Sequence, residues 1–164
     1  MSTVQHPTTI TAQPGTPFLE VVREFDAPPQ LVFRAATEPK YVVQWLGPRD
    51  RKMRIESWDA RTGGSYAYVS YADGDDFEAR FRGVFHTVAP HTLVIQTFEF
   101  EGAPNEVCID TSRYEDLGDG RTRLTMRSVF PSVEAREMAV QSGMDRGIYD
   151  SMDRLAELLA SGTV

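Results

Sequence analysis

Residues 132–160, SVEAREMAVQSGMDRGIYDSMDRLAELLA, decide the fold of this chain. Ser132 is a favourable N-cap, and Glu134 and Glu137 lie near the positive end of the helix dipole. An apolar stripe follows at helical spacing: Val133, Val140, Met144, Ile148, Leu155 and Leu159. The pattern predicts one amphipathic helix over 132–160. At about 1.5 Å per residue it would be roughly 43 Å long, enough to cross a whole sheet.

Two glycines, Gly143 and Gly147, fall inside this predicted helix. Each costs about 1 kcal/mol relative to alanine in a helix interior. One explanation is close contact with a strand or an aromatic ring; the other is that missing side chains leave free volume over a sheet. Both explanations place the glycines on the inward face, as the roof of a pocket. Gly143→Leu or Gly147→Leu is then expected to shrink that pocket.

The chain before this helix predicts an antiparallel sheet and two short helices. Residues 18–25 read as a strand, a helix begins after Asp26, Pro39 ends it, and a second short helix reaches Leu46. Alternating segments then predict strands at 52–58, 65–71, 77–88, 93–100, 106–115 and 121–130. The order predicts an α+β domain over 17–161, with seven antiparallel strands laid against the C-terminal helix. Residues 1–16 are expected to be a flexible tail.

Composition excludes several classes of function. The 164 residues carry a net charge of −7 and no Lys/Arg cluster, so nucleic acid and anionic membranes are not expected partners. No apolar run is long enough for membrane insertion, and the N-terminus lacks signal-peptide features, which favours a cytoplasmic protein. The single cysteine, Cys108, reads as an unreactive strand residue. We expect neither a metal nor a cofactor, since no Cys/His cluster has ligand spacing.

The order of short motifs resembles the START-like (SRPBCC, helix-grip) superfamily, and within it the branch related to the activator of the heat-shock-protein-ninety ATPase. The matching pieces are Ala27-Pro28, Leu31-Val32-Phe33, Thr37, Pro39, Trp45-Leu46-Gly47-Pro48, Gly63-Gly64, Phe81-Arg82-Gly83, Leu93-Val94, Thr122-Arg123-Leu124-Thr125 and Gly143-Met144 leading to Leu155. The resemblance implies a helix-grip fold with an internal cavity and, in many members, a hydrophobic small-molecule ligand. It does not imply one function.

Aromatic and Met side chains are the candidates for the lining of such a cavity, because ligand pockets are mostly apolar with a few placed polar groups. Ordinary core packing is the alternative for each of them. With the helix residues near the two glycines, the candidates are Trp45, Met53, Trp58, Tyr66, Tyr68, Phe81, Phe98, Met126, Gly143, Met144, Gly147, Ile148 and Met152.

Two residues are candidate polar anchors in the cavity. Arg23 shares a strand face with Leu19, Val21 and Phe25, so an inward face would bring it toward a ligand. Alternatively it extends to solvent or pairs with an acidic residue such as Glu99 or Asp110. His86 has a side chain suited to proton transfer, but surface exposure is the alternative. No catalytic constellation stands out.

Three functions are compatible with these features. The first is a small-molecule-binding protein for a hydrophobic or aromatic ligand. The second is a cyclase- or hydratase-type enzyme, with Arg23, Tyr66 or His86 in acid–base roles. The third is a modulator of a chaperone ATPase, which only the family resemblance suggests. A homodimer is possible with all three.

Overall fold

The computed structural model describes residues 6–164 and confirms the α+β architecture. The strands are β1 Thr9–Thr11, β2 Phe18–Phe25, β3 Lys52–Trp58, β4 Ser65–Tyr71, β5 Ala79–Ala89, β6 Leu93–Phe100, β7 Cys108–Gly118 and β8 Arg121–Val129. The helices are α1 Pro29–Thr37, α2 Pro39–Trp45, α3 Val133–Gln141 and α4 Met144–Ala160. None of these helices is long and apolar enough to cross a membrane, as far as residues 6–164 are concerned.

All eight strands form one antiparallel sheet in the order β1-β2-β8-β7-β6-β5-β4-β3. Consecutive strands from β3 to β8 are neighbours, and the first long strand, β2, closes the order beside the last one. The face that carries Val21, Tyr66 and Leu124 packs against the helices, and we call it the inner face. Alternation of apolar and polar residues along the strands predicts this arrangement.

The sheet has one strand more than the sequence predicts. Thr9–Thr11 pair with β2 in the register Thr9↔Val22 to Thr11↔Glu20, so this part of the predicted flexible tail is an edge strand. The error arose because a three-residue strand has no alternation long enough to detect. The beginning of the predicted tail, residues 1–5, lies outside the described residues.

The predicted single helix over 132–160 is wrong, because it is two helices. Gly143 has a φ of 91°, a left-handed conformation, and its N–H donates to the Val140 carbonyl as α3 ends. Glycine adopts this conformation without a steric penalty and commonly ends helices in this way. The predicted N-cap does hold, since the Ser132 hydroxyl accepts from the Ala135 N–H at 3.0 Å.

Polar contacts fix α4 over the sheet. The Arg23 guanidinium on β2 donates to the Asp153 carboxylate at 2.8 Å and to the Thr8 hydroxyl at 2.9 Å. Ser151 receives the Gly47 N–H at 2.8 Å, which joins α4 to the end of α2. The apolar side of α4 is buried, with Leu155 fully inaccessible to solvent. Hydrogen bonds and an ion pair therefore fix the polar side of α4, and burial in the core fixes its apolar side.

The two edges of the sheet differ in construction. The β1 edge is only three residues long. The β3 edge carries exposed Lys52, Arg54 and Glu56, and its pairing with β4 shifts register between Ile55 and Ser57. Both edges are thus short, charged or irregular.

Alanine at the two helix glycines should shift stability in opposite directions. Gly143→Ala forces a Cβ into the left-handed region and should lower the free energy of unfolding by about 1 kcal/mol. Gly147→Ala lies in α4, where a Cβ would meet the Pro48 ring at an ordinary 3.8 Å, and should raise it by about 0.5–1 kcal/mol. Urea unfolding of both variants measures this; equal signs would contradict the assignment of Gly143 as the helix break.

Candidate ligand-binding site

An aromatic wall covers the inner face of strands β3 to β6. Ring centroids are 5.3 Å apart for Trp58 and Tyr66, 6.2 Å for Tyr66 and Tyr68, 5.0 Å for Tyr68 and Phe81, and 5.3 Å for Phe81 and Phe98. These spacings are those of stacked or tilted aromatic pairs in contact. Five residues that the sequence predicts as cavity lining thus form one continuous surface.

A local gap in the ladder between β5 and β6 positions Tyr66 within this wall. The Tyr66 hydroxyl donates to the Thr97 carbonyl at 2.6 Å, and the Val84 N–H donates to the Thr97 hydroxyl at 2.9 Å. Gly83 makes room for the ring, because a Cβ there would lie 2.6 Å from the Tyr66 ring and hydroxyl. Side-chain bonds therefore replace backbone pairing at this point.

A row of polar side chains crosses the inner face in the middle of the sheet. Gln96 on β6 pairs in register with Asp110 on β7, which pairs with Ser128 on β8. Directly opposite residues on neighbouring strands have Cβ atoms about 5 Å apart, so Gln96 and Ser128 each lie within reach of Asp110, one on either side. We call Gln96, Asp110 and Ser128 the polar row.

Asp110 is the least satisfied member of the polar row. Its Oδ1 is buried and has no hydrogen-bond partner. Burial raises the pKa of Asp110 to about 6, and hydrogen bonding to Ser128 opposes this only in part. Burial also raises the pKa of Tyr66, against a hydrogen bond from Gln96. A buried acceptor without a donor costs free energy, so this carboxyl is a candidate contact for a ligand.

The polar row divides the hydrophobic core. Along β7, Cys108 belongs to a small cluster under α3 and Tyr114 belongs to the large cluster under α4, with Asp110 between them. The same division occurs along β8 and the residue after it: Leu124 lies in the large cluster, and Phe130, which directly follows β8, lies in the small one. Helices α3 and α4 meet at Gly143, so the helical cover changes where the core divides.

The inner face keeps accessible surface around this division. The side chains concerned are Gln96, Phe98, Asp110, Ser112, Met126 and Ser128. Asp110 itself keeps some accessible area, although its Oδ1 is buried. Two depressions of about 400 and 230 Å³ open elsewhere, beside α2 and α4 and beside β2, and their linings do not include the polar row.

The other residues predicted to line the cavity pack in the two core clusters or form hydrogen bonds to α1. Met53, Met126, Ile148 and Met152 pack against the large cluster, and Met144 packs against the small one. Both tryptophans bond to backbone carbonyls of α1: the Trp45 indole N–H donates to Ala35 at 2.9 Å, and that of Trp58 to Thr37 at 2.8 Å. The polar ends of both indoles thus anchor α1 to its neighbours.

Three expectations about the site need correction. His86 is exposed on the outer face, where its ring bonds to the Thr87 hydroxyl, so it does not reach the cavity side. Gly143 is exposed, and a Cβ there would meet open space, so it does not roof a pocket. Gly147 faces the Pro48 ring and not the sheet. The apolar stripe of α4 does face inward, with Ile148 and Leu155 in the large cluster. Gly143 precedes α4, and Gly147 lies beside this stripe, on the side that faces Pro48.

Arg23 is buried as expected, but its guanidinium forms an ion pair within the protein. It pairs with Asp153 of α4, and not with Glu99 or Asp110. Glu99 instead pairs with Arg82 on the outer face at 2.7 Å, which lowers the pKa of Glu99. The Nε atoms of Arg23 and Arg136 are buried without a hydrogen-bond partner.

The described residues, 6–164, contain no group of three or more His, Cys, Asp or Glu side chains arranged to hold a metal ion. Burial raises the pKa of the Cys108 thiol to about 12, so this residue is a neutral part of the core.

Comparison with protein families gives a match over residues 26–160 to the family described as activator of Hsp90 ATPase homolog 1-like protein (AHSA1). The chain belongs to this family. The match spans the polar row, the aromatic wall and α4 of the AHSA1-like domain. A search of curated proteins gave no match.

Solved structures share the fold of this AHSA1-like chain. A protein of Arthrobacter aurescens, solved by NMR, is 26% identical with a TM-score of 0.85, and the alignment covers 97% of this chain and 93% of that one. A Chromobacterium violaceum protein is 24% identical with a TM-score of 0.77, covering 87% and 96%. An AHSA1 protein of Silicibacter pomeroyi is 21% identical with a TM-score of 0.73, covering 88% and 99%.

Asp110→Asn should stabilise the AHSA1-like domain at neutral pH. The pKa of Asp110 is raised in the folded state, so its contribution favours folding at low pH and is lost as pH rises through about 6. Removing the buried charge should therefore raise the free energy of unfolding by roughly 1–3 kcal/mol at pH 7.5. Near pH 4 the variant and the wild-type chain should have the same free energy of unfolding.

Urea unfolding at both pH values measures this, with Asp76→Asn as the control because it removes one charge from an exposed loop. Destabilisation by Asp110→Asn at pH 7.5 would show that the carboxylate has a stabilising partner and would contradict the assignment.

Proposed function

We propose that this chain is a cytoplasmic protein that binds a small hydrophobic or aromatic molecule against the inner face of its sheet. The observation that carries the proposal is the accessible inner surface around the polar row, with the unpartnered Oδ1 of Asp110 at its centre. Apolar surface with few convergent polar groups is the usual composition of a ligand pocket.

The surroundings of the polar row supply both kinds of contact that such a ligand needs. The aromatic wall, from Trp58 through Phe98, offers flat apolar surface on one side. Met126 and Ile148, from β8 and α4, offer adaptable aliphatic surface on the other. Gln96 and Ser112 add neutral hydrogen-bonding groups. A ligand here would bury apolar area and satisfy at least one orphaned acceptor.

The wall is rigid enough to act as a preformed surface. Tyr66 is bonded to Thr97 and Trp58 to Thr37, so neither ring must be ordered on binding. Fewer side chains then lose rotamer freedom when the ligand arrives, which improves affinity.

A bulky side chain added to the inner face should weaken ligand binding, because it occupies the space that the ligand needs. Ser112→Leu adds an aliphatic side chain to the inner face of β7 and should weaken binding of 1-naphthalenemethanol, a neutral aromatic probe, at least tenfold. Thr111→Leu makes the same kind of change on the outer face of the same strand and should leave the affinity within about twofold. Isothermal titration calorimetry measures both affinities.

Native mass spectrometry of protein purified from its own host adds a second readout, a bound small molecule that dissociates on activation. The proposal is overturned if the chain carries no such molecule and binds no apolar aromatic probe, whether neutral or charged. Equal losses in Ser112→Leu and Thr111→Leu would place any binding away from the inner face.

The family description supports a second candidate, a partner role with a chaperone ATPase. An exposed apolar pair on the outer face favours a protein contact there: Val84 is 51% exposed and Ile109 is 50% exposed. If this role holds, the chain should change ATP turnover by the host's Hsp90-type chaperone, and Ile109→Asp should abolish the change. Unchanged turnover with the wild-type chain would eliminate the candidate.

A further inference from the structure

We infer that the inner surface recognises apolar molecules that carry a protonated amine, which pairs with the Asp110 carboxylate. The inference rests on the proposed ligand-binding function and specifies the chemistry of the ligand. It follows from the charged groups on the inner side, from which of them are already paired, and from the surfaces that adjoin Asp110.

The polar row has an acidic group and neutral neighbours. Asp110 lies between Gln96 and Ser128 across the strands, and its strand neighbours on the same face are Cys108 and Ser112. Its Oδ1 lacks a donor. A group that brings an N–H donor together with positive charge satisfies the acceptor and compensates the buried charge at once.

The buried cations of the inner side are already paired. Arg23 of β2 pairs with Asp153 of α4 at 2.8 Å. Arg136 of α3 pairs with Glu137 at 2.7 Å and donates to the Phe18 carbonyl. Neither guanidinium donates to Asp110, so within residues 6–164 these two buried cations leave its Oδ1 free to accept from a ligand.

The aromatic wall suits the rest of such a ligand. Phe98 is the register partner of Cys108, one step along the inner face from Gln96 and Asp110. A ring bound against Phe98 and Tyr66 would place an attached methylammonium toward the polar row, where aromatic faces also attract cations. A carboxylate in the same place would face Asp110 in a poorly hydrated site, and this repulsion disfavours acidic ligands.

The ionisable groups that surround Asp110 do not compete with it near neutral pH. Burial raises the pKa of Tyr66, Tyr68 and Cys108 above their ordinary values, so all three stay neutral. The apolar residues of α3 and α4 that pack nearby are Val140, Met144, Ile148 and Met152. The affinity for the amine should therefore depend on the ionisation of Asp110. It should fall as the pH drops below about 6, where the carboxyl is protonated.

Three matched probes test the inference: 1-naphthylmethylamine, 1-naphthalenemethanol and 1-naphthoic acid. They share one ring system and differ in charge. At pH 7.5 the amine should bind the wild-type chain at least tenfold more tightly than the alcohol, and the acid should bind most weakly. Isothermal titration calorimetry at pH 7.5 and 5.0 gives the affinities.

Asp110→Asn should remove the preference for the amine, with a loss of at least tenfold in amine affinity and a change of at most threefold for the alcohol. This variant is expected to fold, since it removes a buried charge. Asp76→Asn, which removes an exposed charge, is the control and should leave all three affinities unchanged.

Two results would overturn the inference while leaving the proposed function intact: alcohol and acid binding as tightly as the amine, or amine affinity unchanged in Asp110→Asn. Failure of all three probes to bind the wild-type chain would instead overturn both the inference and the proposed function.

Discussion

The packing of α4 against the inner face is the interaction on which the rest of the structure depends. An antiparallel sheet with one apolar face must bury that face, and here Met152 and Leu155 supply fully buried side chains for it. Polar ties to β2 and α2, through Asp153 and Ser151, fix where α4 lies. This placement decides which part of the inner face α4 covers.

Within that frame, the core is not uniformly apolar. A buried carboxyl oxygen without a donor lowers stability, and a domain of 164 residues has ample apolar material to replace the group. Local departures from a consistent core are expected where a protein trades stability for function. Asp110 and the accessible inner surface around it therefore mark one region of the molecule.

Strand positions could be predicted because apolar alternation and proline placement act locally, and their order predicted a sheet laid against the C-terminal helical segment. The family resemblance implied the helix-grip fold. Gly143 was misassigned because a single left-handed residue has no signature in helical periodicity. The polar row was missed although a signal existed: Cys108, Asp110, Ser112 and Tyr114 share one phase of β7, and Tyr114 faces inward. The register between strands, which places Gln96 and Ser128 beside Asp110, could not be predicted from the sequence pattern.

The construction of the sheet edges has a consequence for self-association. An exposed strand edge offers unpaired backbone groups to a second chain, and long regular edges promote uncontrolled polymerisation. Strand β1 offers only three residues, and β3 presents Lys52, Arg54 and Glu56 beside a register shift. Extension of the sheet from one copy to the next is disfavoured at both ends, which protects the chain from amyloid-like growth at high concentration.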